Sequence, residues 1–191
     1  MDRGEDLGQR GAALIFSETD LAGAYVIDAE LRTDSRGFFA RTWCQKELAE
    51  HGLNARLVQC SLSFNLRRGT FRGMHYQEAP HEEAKLVRCT MGVICDVIVD
   101  LRPESSTFGK HLAMTLTAQN RRMLYVPERF AHGFVTLEDN TEVFYQMSEF
   151  HTPESARGFR WNDPAFGIEL PIDVAVISER DRDYPDYRPQ A

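Results

Sequence analysis

The chain has 191 residues, of which 42% are hydrophobic and 27% charged, and its formal net charge is −7. That length suits one sizeable core and little more, so residues 1–191 are read as a single domain of a soluble protein. The acidic balance argues against a general nucleic-acid surface, which needs a positive field, and no run of about 18 apolar residues is present to cross a membrane.

Residues 1–10 are polar and glycine-containing, with no apolar signal-peptide core. Residues 1–20 are expected to form a loose N-terminal tail. Beyond them the apolar residues fall in short runs bounded by turn residues, which is the pattern of strands. The candidates are 24–31, 37–43, 55–64, 71–77, 84–90, 92–100, 110–117, 122–126, 132–138 and 141–148. Residues 45–51, closed by Gly52, form the one good short helix. Asp139-Asn140, between the last two strands, reads as a hairpin turn. Many short strands at close spacing predict a sandwich or a barrel. The four cysteines (Cys44, Cys60, Cys89 and Cys95) contain no CxxC pair and read as reduced thiols, which points to the cytoplasm.

The run 93–100 alternates strictly. Val93, Cys95, Val97 and Val99 share one face; Ile94, Asp96, Ile98 and Asp100 share the other. Two carboxylates on one face fit a barrel with a lined interior. They fit a sheet with one wet face equally well.

The densest polar cluster is Arg67-Arg68-Gly69-Thr70-Phe71-Arg72-Gly73-Met74-His75-Tyr76-Gln77, with Lys85 ten residues after His75. On an unbroken strand Phe71, Gly73, His75 and Gln77 would share one face, and Arg72, Met74 and Tyr76 the other. The glycines flanking Arg72 suggest a bend or a close approach of backbones. A single strand histidine is more often a satisfied core or surface residue than a catalyst. His132, in Phe130-Ala131-His132-Gly133-Phe134, reads as a ligand contact or as a buried, hydrogen-bonded histidine. Metal ligation is not expected, because no His-x-His pair exists and no third ligand lies near His75 or His132. There is no Gly-x-Gly-x-x-Gly, P-loop or Gly-x-Ser-x-Gly motif, so no nucleotide cofactor is expected.

Taken together, a set of blocks resembles the dTDP-4-dehydrorhamnose 3,5-epimerase family. They are Asp34-Ser35-Arg36-Gly37-Phe38-Phe39, Phe71-Arg72-Gly73-Met74-His75-Tyr76-Gln77, Lys85-Leu86-Val87-Arg88-Cys89 and Asp96-Val97-Ile98-Val99-Asp100-Leu101-Arg102. Ser106-Thr107-Phe108-Gly109, Val126-Pro127, Phe130-Ala131-His132-Gly133-Phe134, Trp161-Asn162-Asp163-Pro164 and Ser178-Glu179-Arg180-Asp181 complete them, in order, from about residue 24 to 185. The resemblance implies a mainly β, jelly-roll (cupin-like) barrel with one or a few short helices. It also implies a homodimer, in which a strand near residues 24–31 is expected to pair with a partner's sheet.

The family's substrate is a nucleotide-linked 4-keto-6-deoxyhexose, whose ketone acidifies the hydrogens on C3 and C5. Such a reaction needs a base, an acid on the other face and a positive group for the enolate oxygen, and no redox cofactor. By resemblance His75 is the base, Asp181 its orienting carboxylate, Tyr145 the proton donor and Lys85 the group for the oxyanion. The same resemblance assigns Arg36, Gln59, Arg72, His132 and Arg180 to substrate contacts, the arginines neutralising the diphosphate. Taken alone, Tyr145 reads as a packed strand aromatic.

Five positions depart from the family's pattern: Arg32, Arg41, Ser61, Phe150 and His151. They leave the nucleotide, the sugar and the number of inverted centres open. The alternatives are an epimerase that inverts C3 alone or C5 alone, one that uses another nucleotide sugar, a non-catalytic sugar-nucleotide-binding barrel, and a metal-dependent cupin oxygenase or isomerase.

Overall fold

Strands form where alternate side chains of a run can be buried on two different layers, and most of this chain is built that way. The computed structural model of the chain describes residues 12–188. Its elements in order are β1 (Leu14–Glu18), β2 (Tyr25–Ala29), β3 (Arg32–Asp34), β4 (Gly37–Phe39), α1 (Gln45–Glu50), β5 (Gln59–Asn65), β6 (Phe71–Gln77) and β7 (Lys85–Met91). They continue with β8 (Val93–Asp100), β9 (His111–Thr117), β10 (Met123–Val126), β11 (Phe130–Thr136), β12 (Thr141–Met147), β13 (Ala156–Gly158) and α2 (Glu179–Arg182).

Two antiparallel sheets make a jelly-roll barrel. One has the strand order β1-β2-β10-β7-β12-β5 and the other β13-β6-β11-β8-β9, with β3 and β4 paired as a separate hairpin. Between the sheets lies an apolar layer that includes Val87, Ile94, Ile98, Leu124, Phe130, Phe134 and Val143. Outside the second sheet, Phe71, Met74, Cys95, Val97, Val99, Ala131 and Val135 are covered by Phe159, Phe166 and Ile168 from the C-terminal segment. Outside the first sheet, Leu14, Ile27, Leu86, Met123 and Tyr125 are covered by Leu48 of α1. Both faces of β8 are therefore buried. The face carrying Asp96 and Asp100 points into the barrel, so the wet-face alternative does not hold.

Several sequence expectations need correction. Residues 1–11 lie outside the described part, but 14–18 are strand β1, paired with β2 along its length, so the tail does not extend to residue 20. β2 is in turn flanked on its other side by β10, which leaves it no free edge for a partner's sheet. Residues 41–43 are not strand. The Asp139-Asn140 turn, with Asn140 at φ 53°, is no hairpin. It joins β11 to β12, which belong to different sheets, and so turns a corner of the barrel. Residues 45–51 do form a helix, α1 with His51 as its C-cap.

Candidate active site

The site begins with an irregularity in β6. Opposite it on β11, His132 pairs with His75 and Phe134 pairs with Arg72. Two steps on β11 thus match three on β6, a β-bulge that rotates the following side chains. Gly73 occupies the bulge at φ +135°, where a Cβ would lie 2.4 Å from Gly133 Cα. Only glycine fits so close a backbone approach. The bulge corrects the expected alternation: Arg72 and His75 both line the interior cavity, while Phe71 and Met74 both pack outward.

That cavity holds about 470 Å³, within the usual range for a small-molecule site. His75 Nε2 lies 2.7 Å from Asp181 Oδ1. A carboxylate only accepts hydrogen bonds, so Nε2 is the nitrogen that donates to Asp181, and Nδ1 is the other ring nitrogen of the pair. Asp181 is held in turn by α2. Ser178 caps that helix by accepting from the Asp181 N–H at 3.1 Å, and the Gly73 N–H reaches Asp181 Oδ2 at 3.4 Å. Burial pushes the Asp181 carboxyl up, but its hydrogen bonds with His75, Gly73 and Ser178 outweigh burial and leave it below the ordinary value of 3.8.

A second pair stands beside the first. His132 Nε2 is 2.8 Å from Asp96 Oδ1, both side chains being almost fully buried. Asp96 Oδ2 has no hydrogen-bond partner. His132 is thus the buried, hydrogen-bonded histidine of one reading, and it also lines the cavity.

The opposite wall comes from β12, β7 and β5. Tyr145 lies on β12 with its ring 6.0 Å from that of His132. Burial, the largest influence, holds its phenol well above the usual tyrosine value, against a smaller opposing effect of a hydrogen bond with Ser63. The phenol therefore stays protonated at neutral pH. Lys85, at the start of β7, places Nζ 2.9 Å from Glu83 Oε1. Gln59 and Ser61 of β5 also face the cavity, as do Arg180, Arg157 and His151. Among the described residues, no group of three His, Cys, Asp or Glu side chains is arranged to hold a metal ion.

The arrangement supplies an oriented imidazole on one sheet, a neutral phenol on the other and an ammonium beside them. A ketone lying between could lose a proton to the imidazole and gain one from the phenol on the opposite face. Three arginines (Arg72, Arg157 and Arg180) add positive charge for an anionic group on the ligand.

The sequence-derived residues His75, Tyr145, Asp181, Lys85, Gln59, Arg72, His132 and Arg180 all line this cavity. Arg36 does not. It sits in the β3–β4 turn with its side chain 87% exposed, bonded to Asp34. Of the departing positions, Ser61 and His151 line the cavity, whereas Arg32, Arg41 and Phe150 do not. Sequence reasoning missed Glu83 and Arg157. Glu83 stands just ahead of β7, outside the run 84–90, so strand alternation did not reach it. Arg157 lies in a three-residue strand, too short for a periodicity signal.

Residues 18–188 match the model of the family described as dTDP-4-dehydrorhamnose 3,5-epimerase. The chain is 42% identical over 177 residues to the dTDP-4-dehydrorhamnose 3,5-epimerase of Methanothermobacter thermautotrophicus, covering 91% of this chain and 94% of that protein. It is 38% identical over 165 residues to the enzyme of the same name from Shigella flexneri, covering 86% and 91%. Its fold is similar to the crystal structure of dTDP-4-dehydrorhamnose 3,5-epimerase from Bacillus anthracis with TDP and PPi bound. The TM-score is 0.88 at 37% identity, covering 92% of this chain and 100% of the other.

Proposed function

Since the chain belongs to the dTDP-4-dehydrorhamnose 3,5-epimerase family, we propose that it is an isomerase that epimerises a dTDP-linked 4-keto-6-deoxyhexose, converting dTDP-4-dehydro-6-deoxy-D-glucose to dTDP-4-dehydro-L-rhamnose. The observation that carries this reading is the convergence of the His75–Asp181 pair, Tyr145 and Lys85 on one cavity, with His75 and Tyr145 on facing sheets.

His75 takes the proton from the carbon next to the C4 ketone, and Asp181 holds its ring and stabilises the imidazolium that results. Negative charge moves to the C4 oxygen, where the Lys85 ammonium meets it. Tyr145 returns a proton to the opposite face, which inverts the centre. Arg72 and Arg180 neutralise the diphosphate, which lets an acidic protein hold an anionic substrate. The ketone already present in the substrate supplies the acidity, so the reaction needs no redox cofactor.

The enzyme acts as one domain and as a homodimer. In support, β5 is an edge strand, and its outward side chains Leu62 and Phe64, with Leu66 just beyond, are exposed at 58%, 46% and 70%. A bare apolar edge of this kind favours association with a second copy. We place the enzyme in the cytoplasm, in keeping with four free cysteines.

The test is incubation of the purified protein with the dTDP-4-keto-sugar in deuterated water, followed by NMR. Deuterium at C3 and C5 with inversion at both supports the full reading. Inversion at one centre alone would reassign the protein to the single-centre epimerases, and no exchange would overturn the function.

A further inference from the structure

We propose that Glu83 is a positioning residue that aims the Lys85 ammonium at the carbonyl oxygen of the bound keto-sugar. The inference rests on the role given to Lys85 above and adds to it a second, anionic member of the cavity.

Glu83 stands two residues before Lys85, just ahead of β7, and both side chains line the cavity. The segment between them is fixed. The Ala84 N–H donates to Ser148 Oγ at 2.8 Å, and the Ala84 carbonyl accepts from the Ser148 N–H at 3.0 Å. Lys85 is locked further by its pairing with Met147 on one side and Val126 on the other. The two side chains are only 10% and 9% exposed and meet at 2.9 Å.

The contact differs from those of the arginines in the same cavity. Arg72 Nε donates to Asn65, Arg157 Nε meets Glu78 and Arg180 Nε donates to Tyr184. Those three partners stand outside the cavity lining, whereas Glu83 is part of it. A carboxylate in a cavity that admits a diphosphate is costly by like-charge repulsion, and its ion pair with Lys85 offsets that cost. Lysine carries three N–H donors on a flexible four-carbon stem. With the ammonium paired to Glu83, the stem is confined and the charge is held at the cavity. As the enolate forms, its oxygen meets an ammonium already in place.

The experiment compares Glu83→Ala, Glu83→Gln and Lys85→Met, singly and with Glu83→Ala and Lys85→Met combined, by solvent deuterium exchange. Glu83→Ala should lower kcat about tenfold, the worth of a lost close contact between two largely buried charged groups, with KM within about twofold. Glu83→Gln keeps an acceptor at the same place and should restore most of kcat. In the Lys85→Met background, Glu83→Ala should add no further loss. An unchanged kcat in Glu83→Ala, equal losses in the two Glu83 variants, or an undiminished loss without Lys85 would overturn the aiming role. A second readout needs no activity: acetylation of Lys85 by a small N-hydroxysuccinimide ester, followed by peptide mass spectrometry on substrate-free protein. Glu83→Ala should speed it by about threefold or more, while Glu83→Gln stays near wild type. A wild type without exchange would overturn the proposed function, and an acetylation rate unmoved by Glu83→Ala would overturn this inference.

Discussion

His75 and His132 stand directly opposite each other on neighbouring strands, and each ring nitrogen Nε2 meets a carboxylate of its own, Asp181 or Asp96. The two pairs differ in access. The His75 side chain is 40% exposed and that of His132 5%. A base that takes a proton from carbon must approach the substrate closely and then exchange with solvent. The accessible member of the duplicate fits that task, and the enclosed one fits a fixed contact.

His75→Ala is therefore expected to abolish both deuterium exchange and inversion, a loss of about 10²–10⁴-fold or more. Asp181→Asn should fall between it and wild type, because the imidazole remains but is less well oriented and less basic. NMR of the keto-sugar in deuterated water checks both variants. An Asp181→Asn enzyme as fast as wild type would remove Asp181 from the mechanism.

The apolar outer side of β5 gives a prediction about assembly. Leu62→Glu together with Phe64→Glu places charge on two exposed positions, where it should cost the fold little and disrupt the contact between copies. Light scattering at micromolar concentration should report a dimer for wild type and one chain's mass for the variant. A monomeric wild type would defeat the proposed homodimer.

Asp100 couples stability to pH. Burial pushes its carboxyl up, yet hydrogen bonds from Arg102, Ser105 and Thr107 bring it down to about 2, against an ordinary 3.8. A depressed carboxylate stabilises the fold fully above its unfolded value, and that contribution is lost as pH falls through the folded one. About 2 kcal/mol should thus disappear between roughly pH 4 and pH 2. Asp100→Asn should lower the denaturation midpoint at pH 7 and narrow its difference from wild type toward pH 2. A gap independent of pH would contradict the assignment.

Gly73→Ala tests the bulge. The added methyl would meet the Gly133 backbone at 2.4 Å, on a residue at φ +135°. A cost of several kcal/mol is expected, beyond the usual range for a point change. Denaturant unfolding measures it. A variant as stable as wild type would mean that the close approach relaxes freely.

The bulge also marks where sequence reading stops. Short apolar runs placed nine of the ten longer strands within a few residues, because each buries one face in a different layer; β1 was read as part of the tail. Alternation paired His75 with Gly73 and set Arg72 opposite, since counting by twos assumes an unbroken ladder. The extra residue is set by the Gly73–Gly133 contact between strands nearly 60 residues apart, which local pattern does not carry. Asp96 was legible through its strict strand. Asp181 sits in a four-residue helix without periodicity, and the family resemblance alone located it. The same resemblance offered Arg36, which this chain's own fold leaves in solvent.

Tyr145 gives the sharpest division of labour. Its phenol, pushed up chiefly by burial, remains protonated across the neutral range and can supply a proton on the face opposite His75. In Tyr145→Phe the ketone still lies beside His75, so the sugar is still deprotonated. His75 can then return a solvent deuteron to the face from which the proton came. Deuterium should enter with retained configuration at one carbon at least, while inversion there falls by about 10²–10⁴-fold. The substitution removes one oxygen from a buried position and leaves the ring contacts with His132 and Phe134 in place, so folding and substrate affinity serve as controls. Equal loss of exchange and inversion, with those controls intact, would defeat the two-face assignment. The returning proton would then have to come from water or from another group in the cavity.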